Sequence, residues 1–182
     1  MSEKPRIPAG QIGRSIVRVE ARAKVTGTAE YIHNLRLPGM LWAKICRSTV
    51  PHGHIRRIDA SAAAAMPGVE RIVTAVDIRK VIAEPYYGPA FHDQPILAEG
   101  KVRHIGEPVV AVLAADPRLP AEAAQAITVE YDPLPAVYDE LEALTSPVYV
   151  HEHLKPAGTF ADLKHLAGRR DTNVALDFHL RR

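Results

Sequence analysis

In the run Lys101-Val102-Arg103-His104-Ile105-Gly106-Glu107-Pro108-Val109-Val110-Ala111-Val112-Leu113-Ala114-Ala115-Asp116 a short strand leads through a turn into a core strand. Gly106 permits a positive φ, and Pro108 presets φ near −65° while removing a backbone donor, so the turn falls between them. Residues 109–115 are apolar without a break, which suits a strand covered on both faces. The brevity of the run, its valines and the Asp116-Pro117 stop decide for strand over buried helix. An alanine-rich helix over 120–126 and a strand over 127–131 follow. Together they predict a strand–helix–strand crossover, right-handed if its strands are parallel.

Working outward, residues 69–74 read as a strand, preceded by a helix over 62–66 and a strand over 55–59. Asp59 or Ser61 can cap that helix, and Pro67-Gly68 stops it. This is a second unit of the same layout. Residues 41–48 alternate, with Leu41, Ala43 and Ile45 on one face and Trp42, Lys44 and Cys46 on the other, and read as a strand entered from the Leu37-Pro38-Gly39 turn. The segment Ala23-Lys24-Val25-Thr26-Gly27-Thr28-Ala29-Glu30-Tyr31 reads as a turn or as a bulge in a strand. Residues 12–19 are weakly amphipathic. The least regular part, 83–100, holds Pro85, Pro89, Pro95 and the Tyr86-Tyr87 pair, and an insertion of that kind usually serves a function or a partner. Residues 143–168 read as a polar linker. Over 174–180, Val174, Leu176, Phe178 and Leu180 alternate like a strand whose partner is missing, so the end reads as cut and everything after about Pro147 as weakly anchored.

The composition narrows the function classes. A chain of 182 residues makes one ordinary domain with a tail. With 23 basic and 21 acidic residues the net charge is +2, which leaves no footprint for nucleic acid. Cys46 is the one cysteine, so no intrachain disulfide forms and a reducing, cytoplasmic setting is expected. No apolar run approaches membrane-spanning length and the first residues lead into no signal-like apolar core.

Candidate chemistry is sparse. His52-Gly53-His54 and His151-Glu152-His153 each place two imidazoles at a spacing that could hold zinc from one strand face, but a closed site takes four ligands. Cys46 and His33 are the nearest candidates to complete it, with nothing in the sequence fixing them nearby. Glu107 could be offered by its turn as an acid or base, yet no second group is tied to it by spacing. Gly10-Gln11-Ile12-Gly13 lacks the preceding strand and third glycine of a dinucleotide fingerprint. Residue pattern alone therefore reaches an α+β domain with no catalytic, cofactor-binding or metal residues assigned.

The order of several short stretches carries more. Ile12-Gly13-Arg14-Ser15, Lys24-Val25-Thr26-Gly27-Thr28-Ala29-Glu30-Tyr31, Leu35-Arg36-Leu37-Pro38-Gly39-Met40-Leu41, Arg47-Ser48, Pro51-His52 and Ile58-Asp59-Ala60-Ser61 come first. Met66-Pro67-Gly68-Val69, Thr74-Ala75-Val76-Asp77-Ile78, the 101–109 run, Val129-Glu130-Tyr131, Leu134-Pro135-Ala136-Val137 and Asn173-Val174 follow. In that order they resemble the N-terminal α/β-hammerhead domain of the large, molybdenum-binding subunit of the xanthine dehydrogenase and aldehyde oxidase family. Asn34, Thr49 and Val110 depart from the family's usual aspartate, proline and alanine. The resemblance implies an α/β-hammerhead with βαβ units on a mixed sheet, at 21–140, after an arm at 1–20 and before a linker and the start of a molybdenum domain at 141–182. It implies an oxidoreductase, a molybdenum hydroxylase, for the full subunit, with molybdopterin, two [2Fe-2S] clusters and FAD. It also implies a scaffold that packs the molybdenum domain against iron–sulfur and flavin subunits. The family's base and pterin contacts lie beyond this chain, so no site residue carries over, and Glu107 does not match the base. A stand-alone binding or assembly module of the same fold is the alternative.

Overall fold

Alternating and continuous apolar runs settle into strands, and the alanine-rich stretches between them into helices. The computed structural model describes residues 13–88, 93–151 and 172–174. The chain divides into two compact units, 1–40 and 41–182.

In the first unit, helix α1 (Ala21–Val25) is followed by a single 3-10 turn, Ile32–Asn34. Neither a strand nor a bulge forms at Gly27. With φ of +72° the glycine takes the left-handed position just past α1. The Thr28 amide returns to the Ala23 carbonyl at 2.9 Å and the Gly27 amide to Lys24 at 3.4 Å, the paired bonds of a Schellman helix end. The Leu37-Pro38-Gly39 turn is present, closed by Met40 N–H on Leu37 O at 3.1 Å.

The second unit runs β1 (Trp42–Arg47), β2 (Gly53–Asp59), α2 (Ser61–Ala64), β3 (Val69–Val73), α3 (Ala75–Val81), β4 (Tyr86–Tyr87), β5 (Gln94–Pro95), β6 (Lys101–Val102), β7 (Pro108–Ala114), α4 (Leu119–Gln125), β8 (Thr128–Pro133) and α5 (Glu140–Ala143). Three sheets result, in the orders β1-β7-β3, β6-β2-β8 and β4-β5. The core strand lies where the sequence puts it. β7 is central in its sheet and no residue of it is exposed. Val109, Val110 and Val112 are fully buried, each worth about 1.5–3 kcal/mol relative to exposure.

The pairing differs from the mixed sheet of βαβ units. Every strand pair among the described residues is antiparallel. β7 and β8, the two arms of the expected crossover, belong to different sheets, as do β2 and β3. α2 and α4 each hand the chain from one three-stranded sheet to the other. α4 packs across β1, β7 and β3 while its C-terminal neighbour β8 pairs with β2. Small residues permit that close packing. Ala123 of α4 and Ala63 of α2 are fully buried in a core shared with Val102, Val109, Val110, Val112 and Ile127.

Two further helices, α3 and α5, lie beyond the sequence reading. α3 opens on a capping box in which the Thr74 N–H and hydroxyl donate to the Asp77 carboxylate at 3.0 and 2.9 Å. α5 is capped by the Asp139 carboxylate, which accepts from Leu141 N–H and Glu142 N–H at 2.8 and 2.9 Å. α2 takes no side-chain cap, although Asp59 accepts the Ser61 amide at 3.1 Å just ahead of it. The irregular 83–100 stretch contains the β4-β5 hairpin and delivers Leu97 and Ala98 into the interior. Residues 1–12 of the expected arm, 152–168 of the expected linker and 175–180 of the expected last strand lie outside the described residues.

Candidate functional site

Buried polar groups gather around the turn that precedes β7. Gly106, at φ +84°, reverses the chain there. Glu107 is 3% exposed, so its side chain is withdrawn from solvent. Its carboxylate accepts the Arg103 backbone N–H and lies 3.5 Å from Arg103 Nη1, closing its own turn. The preceding loop wraps the same turn. Ser48 N–H donates to Glu107 O at 2.9 Å, Gly106 N–H donates to Ser48 O at 2.8 Å, and Arg47 Nη1 donates to Gly106 O at 2.8 Å. The Ser48 hydroxyl is spent on Val50 O at 2.8 Å, so it is no free nucleophile.

The histidine pairs do not make a ligand set. His52, 5% exposed, holds Pro135 O at Nδ1 over 2.6 Å, and its backbone carbonyl accepts Leu134 N–H at 3.0 Å. It precedes β2 and is buried, whereas His54, inside β2, faces solvent. His33 stacks on Tyr31 in the first unit at 5.6 Å. Cys46 is half-buried in β1, and burial raises its thiol pKa, keeping it protonated and unreactive at neutral pH. His151 is half-buried and its pKa is lowered, first by burial; Asp93 opposes that shift. His153 lies outside the described residues. Among the described residues no three His, Cys, Asp or Glu side chains come together as metal ligands.

Beyond α5 the chain is anchored more firmly than its polar composition predicts. The Asn173 amide donates to Ala143 O at 3.2 Å and Val148 O at 2.8 Å and accepts from Val150 N–H at 3.1 Å. Val150 O in turn accepts the Lys101 ammonium at 3.1 Å. Lys101 is 6% exposed, a buried charge given a carbonyl partner. A cleft of about 420 Å³ lies alongside, lined by Val137, Tyr138, Asp139, His151 and Asn173 among others. The expectation of weak anchoring after Pro147 is therefore corrected for 148–151 and 172–174. Two polar side chains, Asn173 and Lys101, do the anchoring, and no apolar period announces them. Lys101 and Asn173 both carry structural work that sequence reasoning does not assign.

Buried polar groups on this face bind backbone: Glu107 its turn, His52 the end of β8, Lys101 and Asn173 the segment after α5.

Comparison with known proteins agrees with the resemblance. Residues 26–135 match the model of the family described as aldehyde oxidase and xanthine dehydrogenase, a/b hammerhead domain. The chain is 40% identical over 146 residues to the 6-hydroxypseudooxynicotine dehydrogenase complex subunit gamma of Paenarthrobacter nicotinovorans, covering 75% of this chain and 18% of that one. It is 37% identical over 133 residues to the nicotinate dehydrogenase large molybdopterin subunit of Eubacterium barkeri, covering 73% and 31%. The structure of quinoline 2-oxidoreductase from Pseudomonas putida 86 superposes with a TM-score of 0.66 at 36% identity, over 74% of this chain and 18% of that one. The chain thus spans well under half the length of these relatives. With two antiparallel three-stranded sheets, α4 packed across one of them, and this sequence match over 26–135, the chain belongs to the aldehyde oxidase and xanthine dehydrogenase family as its α/β-hammerhead domain.

Proposed function

We propose that the chain is the hammerhead part of a molybdenum hydroxylase large subunit, occupying 21–140, and that it packs a molybdopterin domain against iron–sulfur and flavin subunits. The observation that carries this reading is the alignment of 133 residues with the hammerhead-length portion of a large molybdopterin subunit. The buried polar groups support it, since they fix loops and leave no reacting pair.

The implied iron–sulfur clusters do not fit this chain's own residues. A [2Fe-2S] cluster takes four thiolate ligands, and Cys46 is the one cysteine. In this proposal the clusters belong to another part of the assembly. The single cysteine supports a cytoplasmic setting.

A chimera tests the reading. Replacing the aligned 133 residues of the Eubacterium barkeri subunit with those of this chain should give a protein that retains bound molybdopterin and nicotinate oxidation. A soluble chimera devoid of molybdopterin would overturn the proposal.

A further inference from the structure

A primary amide has two donor hydrogens and an acceptor oxygen. At Asn173 all three functions go to one short stretch, Ala143, Val148 and Val150. That distribution specifies the residue. Aspartate would turn two donations into oxygen facing oxygen, and glutamine would carry the amide one methylene too far. The Val150 peptide is held from both sides, its N–H by Asn173 and its C=O by the Lys101 ammonium. Lys101 opens β6, which pairs with β2 in the second sheet. The Val150 carbonyl is one partner of this buried ammonium, whose charge favours every acceptor it meets. Next to Asn173, Val174 N–H donates to Thr172 Oγ1 at 3.2 Å, so the bend around the asparagine is itself closed.

We propose that Asn173, Val150 and Lys101 form a latch that fixes residues 172–174 against the hammerhead sheet and thereby sets where the chain leaves the domain. Asn173 is a positioning residue in this account. The latch is a property of the chain itself; its use in placing a following domain rests on the scaffold reading above.

Hydrogen exchange on the full 182-residue chain tests it. Asn173→Ala, which removes the acceptor, should speed exchange of the Val150 amide by roughly tenfold, the scale of one net hydrogen bond. The near-isosteric Asn173→Asp keeps that acceptor and loses both donations, so it should speed Val150 exchange by less. The β7 amides should not change. Lys101→Met, which keeps the stem but removes the charge, should speed exchange at Val150 and expose the Asn173 side-chain amide protons. Unchanged Val150 exchange in Asn173→Ala would overturn the latch, as would loss of β7 protection in parallel, which would make Asn173 a global stability residue. Unchanged Asn173 amide protons in Lys101→Met would break the relay. These readouts are independent of molybdopterin binding, so the latch and the scaffold reading can fail separately.

Discussion

Val112 is the residue on which most of the packing converges. It is fully buried, paired with Lys44 of β1 on one side and Ile72 of β3 on the other. A carboxylate placed there would be desolvated with no designed partner, at a cost on the order of several kcal/mol. Total domain stability is about 5–15 kcal/mol, so Val112→Asp should abolish cooperative folding. A soluble Val112→Asp variant with a sharp melting transition would show that β7 is not the centre. The residue scale also separates what sequence can carry from what it cannot. Val109, Val110 and Val112 announce burial through an unbroken apolar run. Glu107 is met by Arg103 within its own turn, whereas Lys101 and His52 are buried although polar because carbonyls from distant segments meet them. Such partners are set by tertiary approach, and no local pattern encodes them.

At the element scale, α3 rests on its capping box. Hydrogen bonds from Lys80 and Thr74 hold the Asp77 carboxyl well below the ordinary carboxylate range. A depressed pKa means that this contribution is fully present above the unfolded value and is lost as pH falls through the folded one. Thr74→Ala should cost about 0.5–2 kcal/mol. Asp77→Asn should lower stability at neutral pH and bring the variant and parent together in strong acid. Urea melts at neutral and acid pH check both; a Thr74→Ala melt that coincides with the parent would remove the box from the account. The Thr-x-x-Asp spacing was legible at 74–77, yet its signal is short beside a seven-residue helix of mixed polarity. Strand positions were legible from apolar pattern. Their sheet partners were not, because α4 looks the same in sequence whether it returns the chain to β7's sheet or carries it to β2's. Gly27 shows the same limit: a glycine between threonines suits a bulge or a left-handed helix end equally, and the preceding α1 decides.

For the whole molecule, Glu107, His52, Lys101 and Asn173 bind backbone groups, and the central proposal is that they position the chain rather than react. Among the described residues no helix is long and apolar enough to cross a membrane, and the exposed apolar side chains of the second unit are scattered over α3, α5 and the turn at Ile105. The family was legible because many short stretches kept their order, even though each alone is weak. The proposed latch was not, because isolated polar residues, Asn173 and Lys101, make it. The central claim is tested most directly at Glu107, the most buried carboxylate near the site, within the Eubacterium barkeri chimera. Glu107→Gln weakens the charge-assisted closure of its turn and should cost about 1–3 kcal/mol of stability. Nicotinate turnover per bound molybdopterin should stay equal to that of the parent chimera. A folded, molybdopterin-loaded Glu107→Gln chimera whose turnover per cofactor falls by roughly a hundredfold, the scale of a lost general acid or base, would contradict the account and return Glu107 to the chemistry.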